Sequence, residues 1–448
     1  MPVVRGYRGR GSKSHCLTHI INHLENIALV AFPCRLACAS GGDMDSVHNP
    51  DRFMADLRQI LSQGRKRIGL LLGAGAPLSI RVDANSRIDP KGKPLIPGVD
   101  ALTTHVINGL DGQDRIAADA IRSGLPGGGN IESILSRIRL LQEAIGGTQV
   151  NGLDGAGYKA LGARVCSAIG GVVGAKLPKD RCAYNELVTW ISGTQRPHPV
   201  EIFTTNYDLL LEEAFEGAKT PYFDGFTGGH APFFDPVTVA GNDLPPRWSR
   251  LWKLHGSLGW KVDHEVVVRS GGYDCTELVY PDHLKYDLTQ KQPYAALFER
   301  LKHFLLQPDT LLLTAGFSFR DAHICAVLDE ALAMNANAAV FAFQFQNLEQ
   351  EDAARALAFD RPNLSVYAAD GAVISGVSGK WRPGDLPKNW AEIRASFWGQ
   401  RWGAGEPVFL LGDFTSFCRF CSLSHSSEMV RPKETIETES ALSGTTEE

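Results

Sequence analysis

Four short stretches concentrate the residues most able to do chemistry. They are Gly73-Ala74-Gly75-Ala76, Thr204-Thr205-Asn206-Tyr207-Asp208, Leu251-Trp252-Lys253-Leu254-His255-Gly256-Ser257 and Gly316-Phe317-Ser318-Phe319-Arg320-Asp321. Glycines in the first permit a tight turn and close approach to a pyrophosphate, and a helix start favours negative charge. Such a turn also occurs without a ligand, and the third glycine of the dinucleotide fingerprint is absent. In the second, two hydroxyls, an amide and a carboxylate can hydrogen-bond sugar hydroxyls and a water. Asp208 also reads as the cap of a helix beginning at Leu209-Leu210-Leu211, which leaves Asn206 without an account.

In the third stretch, His255 carries the side chain whose unperturbed pKa lies near neutrality, so it can take and return a proton. The chain has 13 histidines. His255 follows a strand pattern and precedes a glycine, a setting that His230, His283 and His323 lack. In the fourth, Gly316 allows close ligand approach and Ser318 can donate to a phosphate or ribose. Asp321 reads as a helix cap.

The elements that must position these stretches follow from periodicity. Phe53, Leu57, Ile60 and Leu61 recur at helical spacing from Asp51, with Gly64 as a stop. Ile68–Leu72 is a short apolar run, the signature of a strand buried on both faces of a parallel sheet. Similar runs occur at Glu201–Thr204, Thr310–Thr314, Ala338–Phe343 and Leu364–Tyr367. Alternating strands and helices predict an α/β fold with a doubly wound parallel sheet. The roughly 125 residues between the first two strands exceed one crossover connection, so they read as a helical insertion forming a second lobe, about 99–195. Asn130 is positioned to cap a helix carrying Ile131, Ile134, Leu135, Ile138 and Leu141.

Composition narrows the class. Lys plus Arg is 45 and Asp plus Glu 50, giving a net charge of -5, which argues against a chain devoted to coating nucleic acid. No apolar stretch approaches the ~20 residues of a membrane helix. The nine cysteines are odd in number and scattered, which fits a reducing cytosol better than a disulfide scaffold. Cys418, Cys421 and His425 have metal-like spacing but lack a further ligand pair. Residues 1–43 read as a mis-assigned start or a disordered leader, with a signal peptide as the second reading. Residues 422–448, rich in Ser, Thr and Glu, read as a disordered tail. Between them, 44–375 reads as the catalytic domain and 376–421 as an extension rich in aromatics. Its Trp381, Trp390, Phe397, Trp398 and Trp402 suit either an interface or packing on the core.

Taken in order from Gly73 to Asp321, the four stretches resemble the sirtuin-like family, and strands to about Tyr367 extend the likeness. The resemblance implies a Rossmann-like fold that binds NAD+ across the sheet and breaks the nicotinamide–ribose bond. It implies that Asn206 positions the ribose or an attacking water and that His255 acts as general base or polarises a ribose hydroxyl. Gly73, Ala74 and Gly75 would face the pyrophosphate, with Thr205 and Asp208 also at the cofactor. Gly316 and Ser318 would lie near ribose or phosphate, and Asp370 near adenine. Two departures stand out. Only Cys275 lies between His255 and Asp321, so the four-ligand zinc ribbon of the family's deacylases cannot form and no metal is expected. The usual Gly-Ile-Pro-Asp-Phe-Arg stretch is replaced by Ile80–Gly98, with Arg81, Asp83 and Pro97.

A zinc-free chain of this kind resembles the NAD-hydrolysing effectors of bacterial antiphage systems, most closely the subunit that pairs with a HerA-type hexameric ATPase. That resemblance implies a cytoplasmic homo-oligomer making ADP-ribose and nicotinamide, gated by assembly. The strip from Gly225 to Pro246, or the helical lobe, would cover the resting site. The alternatives are a protein deacylase and a non-catalytic nucleotide-binding assembly subunit.

Overall fold

The computed structural model describes residues 46–264, 266–270, 292–385, 390–403 and 405–425. The leader expected over 1–43, Cys275 and the tail beyond His425 lie outside these residues.

Ten strands form the main sheet: β1 (Val47–His48), β2 (Arg67–Leu72), β3 (Glu201–Thr204), β4 (Tyr222–Phe223), β5 (Ser249–Lys253), β6 (Thr310–Ala315), β7 (Ala339–Phe343), β8 (Leu364–Tyr367), β9 (Gly371–Ile374) and β10 (Val377–Trp381). Their spatial order is β1-β10-β9-β8-β7-β6-β2-β3-β5-β4. From β8 to β4 every pairing is parallel, and only the β8-β9 and β9-β10 pairings are antiparallel. All six residues of β6 are buried, as are all but the first of β2, which is why these strands read as unbroken apolar runs. The expected doubly wound α/β fold is therefore present. Strand order reverses at the β6/β2 boundary, because later strands add on one side of β2 and β3 and β5 on the other.

Side chains alternate across the sheet into two cores. Ile68, Leu70 and Leu72 face one cluster, while Leu71 joins the other. Helix α1 (Pro50–Gln63) packs in the first cluster. It begins at Asn49, whose side chain accepts from Asp51 N and Arg52 N, and stops at Gly64 with φ 62°. After β2 comes α2 (Gly75–Ser79), then the insertion: α3 (Val99–Asn108), α4 (Gly112–Ser123), α5 (Ile131–Ala144), α6 (Gly155–Val173) and α7 (Ala183–Gly193). Asn130 caps α5 through a reciprocal pair with Ser133, as its sequence predicts. The buried residues of these helices are continuous with the core beneath β2 and β6, so the insertion thickens one layer and does not carry a core of its own.

The remaining helices are α8 (Leu210–Gly217), α9 (Pro236–Ala240), α10 (Tyr294–Leu306), α11 (Ala322–Met334), α12 (Asp352–Asp360), α13 (Ala391–Phe397) and α14 (Phe414–His425). Helices α10, α11 and α12 cover the second face. Two differences from the sequence reading concern the C-terminal part. The boundary placed at 375 falls inside the β9–β10 hairpin, and β10 pairs with β1, so the extension completes the sheet. Residues 422–425, assigned to the tail, are the last turn of α14. Of the aromatics named there, Trp381 and Phe397 pack inward. Trp381 stacks on Phe409 with centroids 5.1 Å apart and donates from Nε1 to Ala368 O at 2.8 Å, and Phe397 is fully buried. Cys418 and Cys421 are buried free thiols whose pKa values burial raises.

Candidate active site

One rung of the sheet organises the chemistry. Ala315 pairs with Leu72, Leu72 with Thr204, and Thr204 with Lys253. The four stretches singled out in the sequence leave their strands at or just after this rung, on the carboxyl edge, beside the reversal of strand order. Asn206 and His255 each stand two residues beyond the Thr204–Lys253 pair, on adjacent strands. Leu254 N donates to Thr204 O at 2.9 Å, which carries the pairing one step past the ladder toward His255.

The glycines serve contact between two loops. Gly73 N donates to Ala315 O at 3.2 Å and Gly75 N to Gly316 O at 3.0 Å. A Cβ on Gly73 would lie 2.4 Å from Gly316 O, and one on Gly316 would lie 2.6 Å from Ala76 N, with Gly316 at φ 65°. Backbone meets backbone here, which only residues without a Cβ permit. Gly73, Ala74 and Gly75, expected to face a pyrophosphate, form this turn, with the N–H groups of Gly73 and Gly75 engaged by the neighbouring loop. Ala74 is exposed between them. The short helix α2 also begins with Ala76 N bonded to Gly73 O, at 2.9 Å.

Asn206 is tied to the same turn. Its Nδ2 donates to Gly73 O at 3.0 Å, and its N–H donates to Thr204 Oγ1 at 3.1 Å. Thr204 Oγ1 in turn donates to Leu72 O at 3.0 Å, and Thr205 N donates to that carbonyl at 3.1 Å. A hydrogen-bonded chain therefore joins the ends of β2 and β3 and holds the amide in one orientation.

His255 meets a partner that sequence reading assigned only a capping role. Its Nε2 lies 2.9 Å from Asp321 Oδ2, with the two side chains 6% and 8% exposed. The two buried atoms face each other at ion-pair distance, in a geometry that falls short of a hydrogen bond. Asp321 does cap α11, as expected: Oδ1 accepts from His323 N at 2.9 Å and from Ile324 N at 3.2 Å. One oxygen is thus fixed by the helix and the other is presented to the imidazole. The available signal was positional, an acid closing the loop after the strand next to the reversal point.

Other expected contacts fall elsewhere. Asp208 is 4% exposed, and its Oδ1 accepts from Leu210 N at 3.1 Å at the start of α8. Lys253 Nζ donates to Asp208 O and lies 3.0 Å from Glu212 Oε1, and burial raises the pKa of both carboxyl groups while Lys253 opposes that rise. Asp208 therefore belongs to the buried packing that holds the third and second stretches together. Asp370 is exposed, and its Oδ1 accepts from Leu348 N at 2.8 Å, which fixes the turn after β7. Ser318 is exposed between buried Phe317 and Phe319, whose rings meet at 5.0 Å. Asp83 accepts from Asn85 N and Arg87 N within a turn, and Arg81 donates to Gly92 O at 3.0 Å. Among the described residues no group of three or more His, Cys, Asp and Glu side chains is placed to hold a metal ion.

The strip from Gly225 to Pro246 divides between two places. Phe226–Thr227 and Phe233–Phe234 join a small antiparallel sheet with Trp260–Asp263 and Val266–Arg269. Residues 242–246 line a cleft at the opposite, amino edge.

Residues 200–367 match the family model described as SIR2-like domain. The matched span holds β3 to β8 with Asn206, His255 and Asp321, and the match supports a place in the sirtuin-like family. SIR2-like domains are Rossmann-like and NAD-dependent, so the match implies NAD+ use at the level of the family. None of the curated proteins matches the chain. No helix among the described residues is long and apolar enough to cross a membrane.

Proposed function

We propose that the protein is an NAD+ glycohydrolase in which Asn206 and His255 are the catalytic residues and Asp321 is a positioning residue. The observation that carries this reading is the shared rung: Asn206, with an oriented amide, and His255, with a buried imidazole, each follow it by two residues on neighbouring strands, next to the reversal of strand order. The residues fit NAD+ by their chemistry: an oriented amide and a buried imidazole backed by a carboxylate emerge at the carboxyl edge of the parallel sheet. Water adds at the ribose carbon as nicotinamide leaves, so NAD+ and water give ADP-ribose, nicotinamide and a proton. Asn206 orients the water or the ribose hydroxyl. His255 takes the proton, and Asp321 compensates the charge the ring then carries. General-base help of this kind is worth ~10²–10⁴-fold.

Unrestrained NAD+ hydrolysis would deplete the cell that makes the enzyme. The reading therefore includes gating by assembly: an antiphage effector, cytoplasmic and homo-oligomeric, whose partner is a HerA-type ATPase. The family resemblance supports that part. Incubating the protein with NAD+, with and without a co-encoded ATPase, and identifying products by mass tests it. Nicotinamide and ADP-ribose are expected, increased by the partner. Acyl-ADP-ribose from an acyl-lysine peptide would identify a deacylase, and intact NAD+ under every condition would leave a nucleotide-binding subunit.

A further inference from the structure

The amino edge of the same sheet carries a second constellation. A cleft of about 360 Å³ opens there between the starts of β2, β3 and β5 and the end of α10. Its charged lining consists of Arg67, Arg250, Arg300, Glu201 and Asp243, with His198 beside them. Glu201 is already engaged: Arg300 grips it through Nε to Oε2 at 2.8 Å and Nη2 to Oε1 at 2.5 Å, and Trp252 Nε1 donates to it at 2.8 Å. Arg300 is 3% exposed and also reaches Gly241 O and Asn242 Oδ1.

Arg67 and Arg250 make no ion pair among the described residues. Arg250 is 2% exposed, and its guanidinium donates to the carbonyls of Trp248 and Leu244. Arg67 is half-buried at the first position of β2, and no ion pair or hydrogen bond of its guanidinium occurs among the described residues. A buried guanidinium that donates only to carbonyls, and whose nearby Glu201 is gripped by Arg300, is incompletely compensated, and an anion placed between such groups relieves it. The field registers on neighbouring rings. Burial and then Arg67 lower the pKa of His198, and burial and then Arg300 lower that of His303, with Arg67 adding to it and Glu201 opposing. Phe304 and Pro199 supply apolar wall.

We propose that this amino-edge cleft binds a small phosphate monoester of nucleotide size, held by the guanidiniums of Arg67 and Arg250 beside the Arg300–Glu201 pair. Guanidinium forks match phosphate oxygens bidentately, and the volume lies at the lower end of small-ligand sites. The site stands at the opposite end of the strands from Asn206 and His255, and it is argued without reference to the reaction proposed there.

Calorimetry on the full chain with AMP, inorganic phosphate and adenosine tests it, comparing wild type with Arg67→Gln and Arg67→Lys. AMP is expected to bind with an affinity that falls as salt rises, and Arg67→Gln is expected to weaken that event roughly tenfold or more. Arg67→Lys keeps charge but loses the fork, and its expected affinity is intermediate; it also serves if the glutamine variant fails to fold. Inorganic phosphate binding as tightly as AMP supports the site and identifies phosphate alone as sufficient. Adenosine binding as tightly as AMP, AMP binding unchanged in both Arg67 variants, or no binding of AMP or phosphate at millimolar concentration overturns the proposal.

Discussion

The two edges of the parallel sheet place histidines in opposite electrostatic company. At the carboxyl edge, His255 stands 2.9 Å from the Asp321 carboxylate. At the amino edge, His198 and His303 sit in the field of Arg67 and Arg300, which adds to burial in holding both rings below their ordinary pKa. All three follow or precede short apolar strands or helices, so local sequence does not separate them. The difference comes from which distant segment delivers the neighbouring charge. A parallel sheet starts every strand at one edge and ends it at the other, so each edge collects residues from the whole chain. One edge has collected an amide, an imidazole and an acid; the other has collected guanidiniums.

The sharpest way to break this contrast is to remove the carboxyl-edge groups. Asn206→Ala and His255→Ala are each expected to reduce nicotinamide release by ~10²-fold or more with the far-ultraviolet circular dichroism unchanged. Arg67→Gln, at the other edge, is expected to leave release at saturating NAD+ near wild type. Turnover retained in both carboxyl-edge variants would remove that edge from consideration.

A smaller loss is expected for Asp321→Asn, which keeps a side-chain oxygen for capping α11 but removes the charge beside His255. Release should fall by roughly tenfold to a hundredfold, and the pH–rate profile should move, which a purely structural role would not produce. An unmoved profile would reduce Asp321 to a cap.

The loop contact behind that edge is tested by stability. Gly316→Ala introduces a Cβ 2.6 Å from Ala76 N at a residue with φ 65°. A loss of ~1–3 kcal/mol is expected in denaturant titration, together with lowered activity, because the turn that anchors Asn206 shifts. Wild-type stability would show that the two loops have room to separate.

The smallest effect is expected at the amino edge. His198 and His303 have folded-state pKa values below the ordinary one, so folding favours their neutral forms. Their contribution is present above about pH 6.5 and is lost as pH falls below it, when the folded state resists taking up the protons that the unfolded chain accepts. Thermal melts between about pH 7.5 and pH 5 should therefore show a decline, which His198→Gln combined with His303→Gln flattens. An identical slope in the double variant would place the decline elsewhere.

Much of the frame was legible because its signals are local. The unbroken apolar runs of β2 and β6, the Gly64 stop and the Asn130 cap each act within a few residues, and each is found where expected. The emergence of Asn206 and His255 just beyond neighbouring strands was legible through the order of the four stretches. Local sequence does not announce the contacts that depend on where a group points. Gly73 and Gly75 spend their donors on a neighbouring loop, Asp208 is buried with Lys253, and Asp370 holds a turn. The aromatic-rich extension packs on the sheet because β10 and α14 bring it there, a pairing that no local pattern announces.

The amino-acid sequence alone determined strands β2, β3, β5, β6, β7 and β8, the helix limits at Gly64 and Asn130 and the edge at which amide and imidazole emerge, since periodicity and capping act over a few residues. Only the tertiary structure decided that Asp321 faces His255 and that Arg67, Arg250 and Arg300 share a cleft. Coulomb interactions depend on distance in space, and these groups are brought close by strand order and register, which local composition does not encode.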